Sequence, residues 1–290
     1  MGFIAIVGSG ALGGAVAHAL AVRDRLPEVR LIDAAGPASP ASNVARGKAL
    51  DIQQSSPIDS FSTRLTSADS IEAAVGADVV VIADAAAGNV EHAGEAGLGL
   101  LRHLVRAGSR APILCAGATQ RELIARAVTE LHLSRRLVLG SAPLALESAL
   151  RALAGLALDG SGVEVCLRIV GVPPRAAVVA WEEATAYGQP LASQMAPHAI
   201  AGLAARIPGL WPPGPYALAS AAARVVEALA QGSRRRFSCF VATESGPLRA
   251  AVGSMPVELG PQGVERVIEP ALTRQERTAL ENALERNAEF

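Results

Sequence analysis

The sequence predicts an α/β protein: a doubly wound parallel sheet in the first half, followed by an α+β unit. Three observations carry that prediction. The apolar run Phe3-Ile4-Ala5-Ile6-Val7 empties directly into Gly8-Ser9-Gly10-Ala11-Leu12-Gly13. From there to Gly140, buried-strand patterns alternate with helical ones, as a parallel sheet with crossover helices requires. Beyond Gly140 the alternation gives way to strands that follow one another as a meander.

Taken in order, a helix is expected from Ala15 to Val22 behind the glycine loop, then a strand at Val29-Arg30-Leu31-Ile32. A stretch rich in Ala, Gly, Pro and Ser (34–42) reads as a loop and Val44 to Gln54 as a helix. Ser62 to Thr66 suits a short strand. Ala77-Asp78-Val79-Val80-Val81-Ile82-Ala83 is continuous and β-branched, as strands buried on both faces are. A helix (98–107), a strand (112–116), a helix (119–131) and a strand (136–140) complete the first half. In the second, 142–154 is helical, and strands are expected at 163–170 and 176–181. Helices follow at 197–207 and 216–231, then strands at 236–243, 248–252, 256–259 and 264–268, and a charged terminal helix at 273–288. The expected division is a dinucleotide-binding domain at 1–140 and an α+β substrate-side domain at 141–290.

The glycine loop carries chemistry. Gly8 permits a tight turn, Gly10 removes a Cβ so that a pyrophosphate can approach the backbone, and Gly13 lets the helix pack close to the strand. The backbone N–H groups of Ala11, Leu12 and Gly13 open the helix and face the phosphates. Asp33 closes the second strand 20 positions past Gly13, placed to accept both hydroxyls of an adenosine ribose and to repel a 2′-phosphate. That favours NAD over NADP. A glycine triplet alone is an ordinary strand-to-helix turn; strand, triplet, helix, second strand and acid in order make a specific signal.

Bulk properties set bounds. With 290 residues and 50% hydrophobic but only 3% aromatic residues, the core is built from Ala, Val, Leu and Ile. A net charge of −1 gives no general attraction to nucleic acid or to an anionic membrane. Arg234-Arg235-Arg236 reads as a solvated helix-to-strand turn, since no aromatics interleave with it. Lys48 is the only lysine, which reflects a GC-rich genome rather than a site. Cys115, Cys166 and Cys239 are too far apart for a disulfide framework or a metal cluster, so no metal is expected and a reducing, cytoplasmic setting fits. The N-terminus lacks a basic n-region, and the Ala-rich helices carry Arg206, Arg224 and Glu227, so neither a signal peptide nor a membrane span is expected.

Several segments resemble one family. Gly47-Lys48-Ala49-Leu50-Asp51-Ile52 followed by Pro57 is similar to the "GKALD" helix of the lactate/malate dehydrogenases. Ala77 to Ile82 resembles their fourth strand, Leu146-Glu147-Ser148-Ala149 their "LDSAR" helix, and the stretches 219–222 and 256–265 their C-terminal region. The resemblance implies a Rossmann fold with an α+β substrate-side domain, NAD as cofactor, and a homodimer or homotetramer formed through helices such as 44–54 and 216–231. It also implies hydride exchange with a 2-hydroxy or 2-oxo acid. That reaction calls for a proton-donating histidine oriented by a carboxylate, an arginine pairing the substrate carboxylate, and a second arginine on a mobile loop.

The matching positions hold other residues. The histidine of "G-x-H-G-D-x-x-V-P" falls on Pro173, and the substrate arginine of "LDSAR" falls on Leu150. The mobile-loop stretch, 85–97, has no arginine, and "T-N-P" corresponds to Ala116-Gly117-Ala118. Only the carboxylate has a stand-in, Glu147. Three residues remain as candidates for other chemistry. Glu147 is a residual acid or a solvated or salt-bridged side chain. His92 is a relocated acid/base or a solvated loop histidine. Arg175 holds an anion or is a surface charge after Pro173-Pro174. Asp84, ending the fourth strand, is a ligand contact whose charge opposes a pyrophosphate, or an ordinary loop-start aspartate. Two readings follow: a family member that keeps the dinucleotide loop without the 2-hydroxy acid chemistry, or a NAD-dependent oxidoreductase with a remodelled site and an unknown small-molecule substrate.

Overall fold

The computed structural model describes residues 2–33, 40–244 and 250–286. Its first strand, β1 (Ile4–Val7), is wholly buried, as its unbroken apolar run demands. Helix α1 (Ala11–Arg23) lays Leu12, Val16, Leu20 and Ala17, Ala21 against the sheet, the spacing of one helical face. It stops at Asp24, whose left-handed backbone (φ 48) ends the helix. The Asp24 carboxylate then accepts the Ser62 and Thr63 N–H groups at 2.9 and 2.8 Å, and these bonds, Ser62 foremost, hold its pKa below the usual carboxylate value.

The chain continues through β2 (Glu28–Ile32), α2 (Pro40–Asp59), β3 (Arg64–Ala68), β4 (Val79–Ile82), α3 (Gly94–Arg106), β5 (Ile113–Cys115), α4 (Arg121–Thr129) and β6 (Val138–Gly140). These six strands are parallel in the order β3-β2-β1-β4-β5-β6. The order reverses direction between β1 and β4, and sheets of this kind bind ligands beyond the strand ends at that point.

Next come α5 (Ala142–Ala157), β7 (Val165–Cys166), β8 (Ile169–Val172), β9 (Ala176–Val179), β10 (Thr185–Ala186), β11 (Gln189–Pro190), α6 (Leu191–Gln194), α7 (Pro197–Arg206) and α8 (Pro215–Gln231). The long hairpin β12 (Ser233–Glu244) and β13 (Ala250–Gly260), strand β14 (Gly263–Val267) and helix α9 (Arg274–Arg286) complete the described chain. The sheet runs on without interruption: β12 joins β6, β13 pairs with β12, and β8 and β9 follow antiparallel, with β14 also on β13. β7, β10 and β11 make a separate three-stranded sheet. Helix α8 is tied to α1 by a pair in which Arg23 Nε donates to Glu227 Oε1 at 2.5 Å.

Four expectations need correction. The single strand expected at 163–170 is two, β7 and β8, which pair in different sheets, β7 with β10 and β8 with β9 and β13. The strands expected at 248–252 and 256–259 are one, β13; residues 248 and 249 lie outside the described residues. Pro256 does not break it, because its carbonyl still accepts the Ile268 N–H at 2.8 Å. Arg234-Arg235-Arg236 is not a turn but the bulged start of β12, where the register shifts between Ser233 and Phe237. Of the 34–42 loop, 34–39 lie outside the described residues, and Pro40 already opens α2. The last two residues of the expected terminal helix, 287 and 288, are likewise outside.

Phe240 closes the seam between the parallel and antiparallel parts. It is 1% exposed, pairs across from Gly140 in the ladder, and meets Trp211 edge-on with ring centroids 6.1 Å apart. Phe240→Ala is expected to cost about 3–5 kcal/mol, from lost burial plus the cavity left behind. Urea unfolding followed by circular dichroism measures it as a lowered midpoint.

Candidate dinucleotide crevice

The crevice lies beyond the carboxyl ends of β1 and β4. Gly8 turns the chain with φ +107, out of reach of residues with a Cβ, and donates its N–H to the Ile32 carbonyl at 2.8 Å. A Cβ on Gly13 would strike the Gly8 carbonyl, so the close approach of helix and loop needs glycine there. Asp33 is 7% exposed at the end of β2 and accepts the Ser9 hydroxyl at 2.9 Å. Lys48, on α2, lays its Nζ on the Gly10 carbonyl at 2.6 Å. The sequence reading missed Lys48; its being the only lysine, at the fifth position of the predicted helix, was the available signal.

The N–H groups that open α1 are not free. Gly10 offers no side chain to cap them. Instead the Asp84 carboxylate reaches across from the end of β4, accepting the Leu12 N–H at 3.0 Å and the Gly13 N–H at 2.8 Å. Asn89 Oδ1 accepts the Ala11 N–H at 2.8 Å. Asp84 is 2% exposed, and a Cβ on Gly10 would collide with its carboxylate. An anion held by backbone donors at a positive helix end is stabilised, each bond to a charged group contributing about 1.5–3 kcal/mol.

Beyond β5 the pattern repeats. Glu91 accepts the Ala118 and Thr119 N–H groups at 2.9 and 2.8 Å and the Thr119 hydroxyl at 2.6 Å. Both carboxylates come from one short hairpin. Asp84 and Glu91 face each other as an isolated bridge, Ala85 N–H donates to Val90 at 2.8 Å, and Gly88 and Asn89 turn with φ +73 and +50. Fully buried Gln120 fastens the base, donating to the Ala83 and His92 carbonyls at 3.2 and 2.9 Å. The loop expected to close over a substrate is therefore folded back into the crevice.

His92 follows that hairpin. It is half-buried, and burial lowers its pKa from the usual histidine value, opposed by the nearby Asp33 and Asp84 charges. It thus stands beside the dinucleotide loop rather than in solvent. Glu147 is elsewhere. It is 1% exposed on α5, accepting Arg168 Nη1 at 2.9 Å and the Ser238 hydroxyl at 2.5 Å. Burial pushes its carboxyl above the usual range, with Arg168 pulling it back. It lines a cavity of about 790 Å³ with six arginines, Arg25, Arg151, Arg168, Arg224, Arg235 and Arg236. Arg175 is exposed and lines a different cavity of about 350 Å³ beside α9. The three candidates are not brought together. Pro173 is buried, and Leu150 is fully buried in an apolar cluster with Leu146, Val165, Leu167 and Ile169.

Among the described residues no group of His, Cys, Asp and Glu is arranged to hold a metal, and no helix is long and apolar enough to cross a membrane. Burial holds both buried thiols in the protonated form, pushing Cys115 up to about 12 and raising Cys239 as well.

A glycine-rich turn at the switch point of a 3-2-1-4-5-6 parallel sheet defines the class: dinucleotide-binding proteins of the Rossmann type. Residues 3–106 match the family model for the lactate/malate dehydrogenase NAD binding domain. A malate dehydrogenase of Pelagibacter ubique is 38% identical over 79 residues, 27% of this chain and 23% of that protein. Two solved structures share the fold across nearly the whole chain. Malate dehydrogenase from Salinibacter ruber superposes with a TM-score of 0.82 at 24% identity, covering 98% of this chain and 94% of the other. Lactate dehydrogenase from Cryptosporidium parvum, complexed with lactic acid and NAD, gives 0.83 at 20% identity, covering 98% and 95%. Residues 3–106 are thus similar to the NAD binding domain of the lactate/malate dehydrogenases, and the chain shares the fold of those solved dehydrogenases over nearly its whole length. The cofactor of that domain is NAD. The donor set fits it: three helix-opening N–H groups already hold anionic or amide oxygens, beside an acid at the end of β2.

Two outcomes are expected from this geometry. Glu147→Ala leaves the Arg168 guanidinium without its buried partner and should cost on the order of 3 kcal/mol in urea unfolding. For His92 the folded pKa lies below the unfolded one, so its contribution to stability is complete above pH 6.5, the ordinary value, and is lost as pH falls through the folded pKa. His92→Gln should flatten the fall of the urea midpoint below that pH, relative to wild type.

Proposed function

We propose that this protein keeps the family's dinucleotide-binding domain and has lost its 2-hydroxy acid chemistry. Gly8, Gly10, Ala11, Leu12, Gly13 and Asp33 form the cofactor side, and no catalytic set replaces the family's own. The carrying observation is Leu150: where the resemblance puts the arginine that pairs a substrate carboxylate, a leucine lies fully buried among apolar side chains. Pro173, at the histidine position, offers no titratable proton. Bound as NADH the cofactor would supply a hydride, and bound as NAD+ it would accept one. At the two positions where the resemblance puts the substrate arginine and the proton-donating histidine, the sequence has Leu150 and Pro173. Losing such groups together costs on the order of 2–4 kcal/mol of transition-state stabilisation each.

The reading of an oxidoreductase with a remodelled site has Glu147, His92 and Arg175 as its candidate groups. They face an arginine-lined cavity, the dinucleotide crevice and the α9 side respectively. Exposed apolar side chains on α2 (Leu50, Ile58) and α8 (Tyr216) support assembly with a second copy. A soluble cytoplasmic setting is consistent with the free cysteines.

NADH titration by fluorescence, followed by assays with pyruvate and oxaloacetate, tests the function. The expected result is saturable NADH binding with no oxidation. Turnover of either 2-oxo acid at ordinary enzyme concentration would overturn the loss of chemistry, and absence of binding into the millimolar range would overturn the retained domain.

A further inference from the structure

We propose that residues 84–91 are a built-in competitor for the dinucleotide, and that the cofactor enters only by exchanging its phosphate for the Asp84 carboxylate. This rests on the reading that the domain still takes a dinucleotide.

The donors at the start of α1 are committed. Leu12 and Gly13 give their N–H groups to the two oxygens of Asp84, and Ala11 gives its own to Asn89. A phosphate bound at a helix N-terminus uses this same kind of donor. The volume is committed too. The space left by the absent Cβ of Gly10, which would admit a pyrophosphate to the backbone, is filled by the Asp84 carboxylate. Phosphate and carboxylate carry like charge and cannot share those donors. An independent observation sits on the other half of the sheet. The Glu91 carboxylate takes the Ala118 and Thr119 N–H groups, and a Cβ on Gly117 would collide with it. A dinucleotide spans both halves of such a sheet. One hairpin therefore fills two stretches of its path with carboxylates.

The hairpin is also built to stay. Its strands bridge at Asp84 and Glu91, and Gln120 holds both ends of its base while accepting the Gly117 N–H at 2.8 Å. Bound and self-filled states are then two conformations in competition, and the apparent affinity is the intrinsic affinity multiplied by the fraction of open molecules.

The test measures dissociation constants for NADH, ADP and adenosine in wild type, Asp84→Asn, Asp84→Ala and Glu91→Gln, with thermal melting of each. Asp84→Asn keeps the side-chain shape while losing the charge and one acceptor. Both Asp84 variants should melt lower without ligand, bind NADH and ADP about tenfold or more tighter than wild type, and leave adenosine, which has no phosphate, unchanged. Glu91→Gln weakens the same hairpin and should tighten NADH and ADP together, again leaving adenosine unchanged. An increased ligand-induced rise in melting temperature provides a second readout independent of activity. Wild type and folded variants binding NADH and ADP equally would overturn the competitor while leaving the dinucleotide reading intact. Should no protein in the series bind NADH, both fall. If the Asp84 variants do not fold, the contrast of NADH and ADP against adenosine in Glu91→Gln decides.

Discussion

The bond between the Asp84 carboxylate and the first turn of α1 is the constraint around which the N-terminal half is arranged. A helix beginning at a glycine-rich loop has a problem of its own making. Gly8, Gly10 and Gly13 allow the turn and the close approach, but glycine has no side chain with which to cap the helix. Free N–H groups left in a buried crevice are costly. Asp84 caps them from 72 positions away, and in doing so ties the end of β4 to the start of α1 across the point where strand order reverses. The hairpin that follows, its Gln120 clamp and the Glu91 contacts all keep that carboxylate in register.

The same rule, that buried polar groups must be satisfied, governs the second half. Glu147 sits deep beside the hairpin of β12 and β13, where an unpaired carboxylate would be expensive. Arg168, from the link between β7 and β8, and Ser238, on β12, satisfy its two oxygens. Around this pair the neighbouring positions of α5 are plain packing: Leu146 and Leu150 fill an apolar cluster that continues through β7, β8 and α7. The guanidinium offsets the carboxylate's charge, and the Ser238 hydroxyl ties α5 to β12.

Most of the scaffold was legible because periodicity and glycine placement are local. β1, β4 and the helices following them are written in consecutive residues, and the phosphate-loop geometry follows from spacing alone. What stayed hidden depends on partners distant in sequence. Asp84 read equally as ligand contact or loop start, because nothing local shows that it faces the start of α1. Lys48 looked like compositional accident, yet it rests on the Gly10 carbonyl. Residues 253–255 were left between two expected strands, yet they run through the middle of β13. His92 read as solvated, since the fold-back of 84–91 that brings it beside Asp33 and Asp84 is a tertiary event.

A motif of this kind specifies donors, and donors do not choose their anion. Three N–H groups and a helix dipole stabilise a carboxylate by the same physics that stabilises a phosphate. Keeping the glycines therefore conserves the geometry of the cradle whichever oxygen fills it, and the fold is maintained by the internal anion when no ligand is present. Affinity for a dinucleotide becomes a difference between two occupants of one set of bonds. The glycine fingerprint records the first of those quantities and is silent on the second, which is set by a single aspartate at the end of a neighbouring strand.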